Sequence, residues 1–525
     1  MKGTQGVSIV KKPPAERYYF ISPPNIPYNR YVPMNASNFP VSIDNSFWQA
    51  LFHAGSIAVI GAKNQAGSWG NDAMRATVES AKAKEGRRVY AVNPREPEVL
   101  GVKSYKSILE IPDPVELAII VVPAAIVPQV FRQCAEKGVK AAVIISAGFA
   151  EVDEGGAKLQ AEILAVSRQY GLRFVGPNCN GHADMYSRVA SLGFASRIPS
   201  GPMSLLSQSG TLGASMMQIA ASRGIGMSKV VSTGNEADLH LEDYLTYLVQ
   251  DENTKIITAY IEGLREGRRF YELAREITRK KPVVVIKSGT TGAAAKAARS
   301  HTGALAGSDA VYSAAFKQAG VIRAEDEEEL ADIVLALCHL PLPRGKRVGI
   351  LTMGGGFGVV TAEDCEKEGL EIAELEPQTL KKMSAILPPR WTPGNPVDLV
   401  GTRQTAGENA GSACLRLLLE DANVDGIISL LPPMLMAPYM IAEASREQIR
   451  AMQIENAKNQ EILYGQLKEH DKPLVYIRRI SFTPAQMSQD AMIMPKVTIP
   501  EYAHPRRAAR VLKYLADYRK YLEGG

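Results

Sequence analysis

The residue most able to do covalent chemistry is a histidine set among small neighbours. His301 lies in Ser300-His301-Thr302-Gly303-Ala304-Leu305-Ala306-Gly307, shortly after Lys287-Ser288-Gly289. The chain holds seven histidines in 525 residues, and a neutral ring nitrogen can attack phosphorus. Small flanking residues suit a side chain that must hold a phosphoryl group and swing it between partners. A buried histidine that fills a helix start is the plainer alternative, and the segment alone does not separate the two.

Its company is informative. Ser207-Gln208-Ser209-Gly210-Thr211 joins an apolar run to a helical pattern, where hydroxyls and a glycine at a helix N-terminus would cradle phosphate without a lysine. A plain serine-capped helix would read the same way. The device recurs at Met353-Gly354-Gly355-Gly356-Phe357-Gly358. Glu262, in Tyr260-Ile261-Glu262-Gly263, ends another apolar run. Its carboxylate could accept a hydrogen bond from one ring nitrogen and leave the other free to attack, unless it is a surface carboxylate. Further upstream, Gly61 closes a strand pattern, and Gly67-Ser68-Trp69-Gly70 precedes a helix. Such glycines let a backbone approach phosphate, though the spacing is not GxGxxG. The following strand ends in Asn93-Pro94-Arg95, a cation where an NAD site would carry an acid. It suits a phosphorylated nucleotide or is a surface arginine.

The elements that must position these residues form three similar sets. Short, continuously apolar runs fall at 56–62, 88–94, 117–124, 141–148 and 173–177. The pattern restarts at 203–210, 229–235, 256–263 and 282–289, and again at 347–356, 370–375, 426–431 and 473–478. Continuous rather than alternating apolarity predicts parallel strands covered on both faces. The fold expected is α/β, three doubly wound parallel-sheet domains in series, with ligands beyond the carboxyl ends of the strands. The expected divisions are an arm at 1–45 and domains at 46–195, 196–340 and 345–525. The arm is rich in proline and tyrosine and reads as an extended strap on another surface or a disordered tail. The acidic run 325–329 is expected to start a solvated helix. The last segment is expected to be a packing helix, with Ala508, Val511, Leu512, Leu515 and Leu522 inward and its arginines and lysines facing water.

Composition narrows the class. The chain is 46% hydrophobic and 22% charged, with a net charge of +5. That is too mild a basic balance to suggest a nucleic-acid binder. Five dispersed cysteines without a CxxC pair argue against a zinc cluster or disulfide framework and fit a reducing cytoplasm. No run of about 18 apolar residues is present, and no secretory leader is expected.

Taken together, the stretches 56–70, 92–94, 121–124, 144–149, 176–179, 207–212, 234–238, 300–307 and 394–398 resemble the α subunit of ADP-forming (NDP-forming) acyl-CoA synthetases, in the succinyl-CoA synthetase superfamily. The resemblance runs from about Phe47 to the C-terminus. It implies a Rossmann-like CoA-binding domain followed by two flavodoxin-like, succinyl-CoA-ligase-like domains. It implies that His301 is phosphorylated, with Glu262 as its carboxylate partner. It also implies CoA contacts at Gly67, Ser68, Gly70, Arg95, Val122, Pro123, Ser146, Ala147 and Gly148. Coenzyme A is then a substrate, while ADP or ATP and Mg2+ sit on a separate ATP-grasp β subunit, in an α2β2 heterotetramer. No metal is expected on this chain.

Departures from the family pattern accompany the resemblance. No ATP-grasp stretch is present. Thr290-Thr291-Gly292 stands where the family has a longer, arginine-containing loop, and Gly401 is followed by Thr402-Arg403 instead of an acidic residue. Two rival readings predict different residues. A protein acyltransferase on this scaffold would add an acetyltransferase domain. A silent CoA-binding paralogue or scaffold would not need a histidine at 301.

Overall fold

The computed structural model describes residues 43–292, 294, 308–401, 404–405, 408–430, 463, 465–467, 469–477 and 499–524. His301 and its neighbours, the arm through residue 42, and Thr402-Arg403 lie outside the described residues.

The first sheet comprises β1 (Ser56–Ile60), β2 (Arg88–Val92), β3 (Glu98–Val99), β4 (Val102–Tyr105), β5 (Leu117–Ile120), β6 (Ala141–Ile144) and β7 (Arg173–Val175). Their order is β3-β4-β2-β1-β5-β6-β7, parallel except for the β3–β4 ribbon. β1, β5 and β6 are buried along their whole length, because helices cover both faces, and so they read as unbroken apolar runs. The chain direction switches on either side of β1, which opens a crevice beyond its carboxyl end.

The second sheet comprises β8 (His182–Asp184), β9 (Ser200–Ser207), β10 (Met227–Ser232), β11 (Ile256–Ile261), β12 (Val283–Lys287) and β13 (Ile322–Ala324), in the order β13-β12-β11-β9-β10-β8. The last five in sequence have flavodoxin-like order, with β8 added antiparallel beside β10. Thus β8 hydrogen-bonds into the second sheet although it precedes residue 196, where the sequence reading starts the second unit.

The third sheet has β14 (Arg347–Thr352), β15 (Glu371–Ile372), β16 (Val397–Asp398), then a two-stranded ribbon β17 (Gln404–Thr405) and β18 (Glu408–Asn409), then β19 (Gly426–Ser429), β20 (Leu474–Ile477) and β21 (Glu501–Tyr502). Its order β15-β14-β19-β20-β21 repeats the flavodoxin-like arrangement, and β16 pairs with the end of β14.

Two helices join these units. The helix Asn45–His53, capped by Asp44, buries Phe47, Trp48, Leu51 and Phe52. Trp48 stacks on Tyr247 of the second unit with centroids 4.6 Å apart. The C-terminal helix Pro505–Leu522 buries Ala508, Val511, Leu512 and Leu515, as the pattern predicts, and Leu522 is partly buried. Arg506 and Lys520 are exposed as expected, but Arg507 and Arg510 do not simply face water. Arg510 pairs with Glu329 at 3.1 Å, Glu368 at 3.2 Å and Glu325 at 2.9 Å, and Arg507 pairs with Asp332.

The acidic run does start a helix, with Glu325, Asp326 and Glu328 exposed, but the helix beyond them is not solvated. The helix Glu327–His339 starts at the Asp326 cap but is buried from Glu329 to Cys338. Its inward acids can be covered because Arg223, 109 residues before Asp332, and Arg507 and Arg510, 175 residues after Asp332 and 181 after Glu329, neutralise them, pairings that the local sequence cannot display. The C-terminal helix also reaches the second unit through Tyr521, whose hydroxyl lies 3.0 Å from that of Thr278 and donates to the Arg275 carbonyl at 3.1 Å. Tyr521 lies against Gly320, where an added Cβ would come within 2.2 Å of the ring.

Among the described residues no helix is long and apolar enough to cross a membrane. All five cysteines are free and buried.

Candidate active site

The loop after β1 is shaped by two glycines. Gly61 has φ +91°, and a Cβ there would lie 2.1 Å from the Val121 carbonyl; one on Gly70 would lie 2.1 Å from the Gly61 carbonyl. Both are forced by close packing of the helix start on the strand ends. Gly67, with φ +77°, has nothing within 4 Å and leaves open space before the helix Trp69–Ala83, whose Ser68 cap accepts from Asn71 N–H. Asn71 also donates to the Lys63 and Asn64 carbonyls at 3.0 and 3.1 Å. Asn64 in turn is gripped by Glu96 at 2.7 Å. Arg95 is exposed beside it.

Across the crevice, the Ser146 hydroxyl donates to the Val122 carbonyl at 2.6 Å and accepts from Val122 N–H at 3.1 Å. That exchange ties the ends of β5 and β6 together. Pro123 and Ala147 are exposed, and Gly148 is half-buried with φ +105°. Every residue expected to contact CoA therefore lies on the carboxyl edge of this sheet. Open space at Gly67, the helix start at Trp69 and an exposed arginine fit an elongated ligand bearing phosphates.

The second sheet gathers the other candidates. β9 and β11 are neighbours, so Ser207-Gln208 and Glu262 emerge side by side. Ser209 caps the helix Gly210–Ser222 and accepts from Leu212 N–H at 3.4 Å, while Thr211 is exposed. Gln208 does not turn its carboxamide to this helix start. Its Oε1 accepts from Glu262 N–H at 2.6 Å and Gly263 N–H at 3.1 Å, and its Nε2 donates to the Gly263 carbonyl at 2.8 Å. Glu262 is buried, with 7% of its surface exposed. β12 lies beyond β11, and its terminal Lys287 donates to the Glu262 carbonyl at 2.8 Å and sits 4.5 Å from the Tyr312 ring centroid. Burial, then the nearby Arg323 charge, depresses the Lys287 pKa. Tyr260, on β11 two residues before Glu262, donates to the Ser288 hydroxyl at 2.9 Å. The segment with His301 leaves after β12 and re-enters at the helix Asp309–Gln318, so its described flank before residue 293 starts from this edge.

In the third unit, Gly354 caps the helix Gly355–Lys367 with extended backbone, φ −160°. Nothing lies within 4 Å of a Cβ on Gly354 or Gly356, and one on Gly355 would be 3.4 Å from Asp398. These glycines belong to a different sheet from Glu262.

Sequence reasoning missed Lys287 as a neighbour of Glu262, and it also missed Asn180 and Asn235. Asn180 packs on Gly210 so closely that an added Cβ would lie 2.3 Å from its amide carbon. The signal was available in part, because both asparagines lie in or beside glycine-containing stretches at strand ends.

Comparison with known proteins matches this layout. Residues 55–184 match the CoA binding domain, 200–337 the succinyl-CoA ligase like flavodoxin domain, and 348–467 the ligase-CoA domain. Together they define an acid–thiol ligase of the succinyl-CoA ligase class. The α subunit of acetate–CoA ligase [ADP-forming] II from Pyrococcus furiosus is 38% identical over 90% of this chain and 98% of its own length. The isozyme I α subunit from the same organism is 46% identical over 67% of this chain and 76% of its own. The chain belongs to the family of ADP-forming acetate–CoA ligase α subunits.

Solved structures agree. A crystal structure from Pyrococcus horikoshii OT3 superposes with TM-score 0.72 at 33% identity, covering 90% of this chain and 99% of that one. The Ca. Korarchaeum cryptofilum dinucleotide forming acetyl-coenzyme A synthetase 1, solved with phosphate and ADP, gives TM-score 0.76 at 30% identity, covering 91% and 98%.

Proposed function

We propose that this chain is the CoA- and acyl-handling subunit of an ADP-forming acyl-CoA synthetase. Acyl-CoA and phosphate exchange to acyl phosphate and CoA at the crevice lined by Gly67, Ser68, Gly70, Arg95, Val122, Pro123, Ser146, Ala147 and Gly148. The His301 ring nitrogen then attacks phosphorus, and the carboxylate leaves with the bridging oxygen. The phosphohistidine passes its phosphoryl group to ADP on an ATP-grasp β subunit, with Mg2+ there, in an α2β2 assembly. The reverse direction activates a carboxylic acid. Splitting the transfer through a covalent intermediate lets two separated sites share one energy-rich bond.

The observation that carries this reading is the convergence on one sheet edge of Glu262, the Ser207-to-Thr211 helix start and the strand from which the His301 segment departs. Glu262 would accept from the imidazole and fix its tautomer, while the amides at residues 209–211 hold the phosphoryl oxygens. The glycines 354–356 supply a second helix start for phosphate.

The test is phosphate label from ATP in the presence of the β partner. Wild-type chain should acquire acid-labile, base-stable label, and His301→Asn should lose both label and turnover while still binding CoA. Label persisting in His301→Asn would refute the assignment.

A further inference from the structure

One buried asparagine connects the two edges described above. Asn235 follows β10 in the second unit and is 5% exposed. Its Nδ2 donates to Glu151 Oε2 at 2.5 Å, a residue of the first unit. The other oxygen of Glu151 accepts from the backbone N–H groups of Gly148 at 2.7 Å and Phe149 at 3.1 Å. The turn at Gly148 is thus shaped by a carboxylate whose second oxygen is held from the neighbouring domain.

Asn235 itself cannot drift. Its N–H donates to the Pro177 carbonyl at 2.9 Å, and Asn178 donates to its Oδ1 at 3.2 Å. Arg265, three residues beyond Glu262, donates to its carbonyl at 2.7 Å. The flanking backbone is committed to this approach. Gly234 has φ +61°, and a Cβ there would lie 2.3 Å from the Pro177 carbonyl. Glu236 has φ +50°, a conformation that a side-chain-bearing residue adopts only when its surroundings impose it.

We propose that Asn235 is a positioning residue for CoA: from the second domain, and acting through Glu151, it fixes the Gly148 turn of the first domain in register with the turn that carries Glu262. The inference rests on the synthetase reading above. A charge-assisted bond between a buried asparagine and a half-buried carboxylate is strong enough to matter, and its loss frees the turn without touching the phosphoryl side. Burial acts to raise the Glu151 pKa, yet Asn235 and the two amides hold it below the ordinary glutamate value, consistent with a carboxylate that stays ionised in this role.

The experiment uses the full chain assembled with its ATP-grasp partner. In Glu151→Gln, Oε1 still accepts from Gly148 and Phe149, but the amide cannot accept from Asn235, so only the Asn235–Glu151 bond is broken, and the Asn235 bonds to Gln160, Pro177 and Asn178 remain. Asn235→Ala removes that bond from the other side, together with the Asn235 side-chain bonds to Gln160 and from Asn178. Both should raise the KM for CoA about 10-fold, the effect of one such hydrogen bond. ATP-driven labelling should change by a much smaller factor, since that half-reaction does not use CoA. The exchange pair Asn235→Asp with Glu151→Gln reverses donor and acceptor and should recover most of the CoA KM.

A CoA KM within twofold of wild type in both single variants would overturn the proposal. So would equal losses in CoA use and labelling, or an exchange pair no better than Glu151→Gln alone. Failure of the wild-type assembly to label or to use CoA would overturn the synthetase reading, and this inference with it.

Discussion

Replacing Gln208 with leucine tests whether this side chain serves the neighbouring backbone. The carboxamide makes three hydrogen bonds, at 2.6, 3.1 and 2.8 Å, to Glu262 N–H, Gly263 N–H and the Gly263 carbonyl. Gln208, Glu262 and Gly263 are all buried. Leucine nearly conserves the volume, so cavity effects are small, but two donors and one acceptor lose their partner. At about 1–3 kcal/mol for each unsatisfied buried group, the sum is roughly 3–9 kcal/mol, and relaxation of the turn brings it to the lower end.

A loss of about 3–4 kcal/mol should lower the melting temperature of a unit of roughly 150 residues by about 10 °C. Differential scanning calorimetry should show the shift in the transition that contains the second sheet. The same variant should label His301 at least about 10-fold more slowly, because the Glu262 backbone is no longer fixed. Gln208→Glu keeps both acceptor bonds and should fall between. If Gln208→Leu melts within about 2 °C of wild type and labels at the wild-type rate, the clamp has no mechanical role.

Two further substitutions probe a close contact and a buried carboxyl group. Gly210→Ala should destabilise the chain by about 1–3 kcal/mol, against the usual helical gain, because the new Cβ would meet Asn180 at 2.3 Å. Adding Asn180→Ala should recover much of the loss in a thermal melt. Glu242 is fully buried with neither carboxyl oxygen partnered, and burial pushes its pKa from 4.5 up to about 7. The folded state therefore holds a proton that the unfolded state releases above pH 4.5, so this group costs stability progressively from pH 4.5 to beyond 7. Glu242→Met should be more stable than wild type by about 1–3 kcal/mol at pH 8, with the advantage vanishing near pH 4.5. A pH-independent difference in urea titrations would contradict the assignment.

The central strands were legible because burial on both faces leaves a continuous apolar signature, as at 117–120 and 283–286. Edge strands such as β3, β8 and β21 were not, since two- or three-residue segments carry no periodicity. The sites divide similarly. Glycine loops announce strand ends, so Gly67, Ser68 and Glu262 could be read on their own. Gln208 could be placed at the right edge but not given its contacts, which depend on β9 lying beside β11. The acidic run at 325–329 announces a helix start, but the burial of that helix from Glu329 onward is not legible, because its covering arginines come from residue 223 and from the far end of the chain. Asn235 and Glu151, 84 positions apart, share no local pattern at all.

The helix Pro505–Leu522 has a consequence for modularity. Sequence matching divides the second and third units cleanly near residue 340, and a proline-containing linker stands there. The last helix nonetheless lays its tyrosines on Thr278, Arg275 and Gly320 and its arginines on Glu329 and Asp332. A chain cut at that linker would strip the earlier unit of Arg507 and Arg510 and leave Asp332 buried with Arg223 alone as its cation. The two units are therefore recombinable as text but not as objects: a fragment or fusion that separates them must bring this helix along in trans, or replace the Asp332 and Glu329 side chains it neutralises.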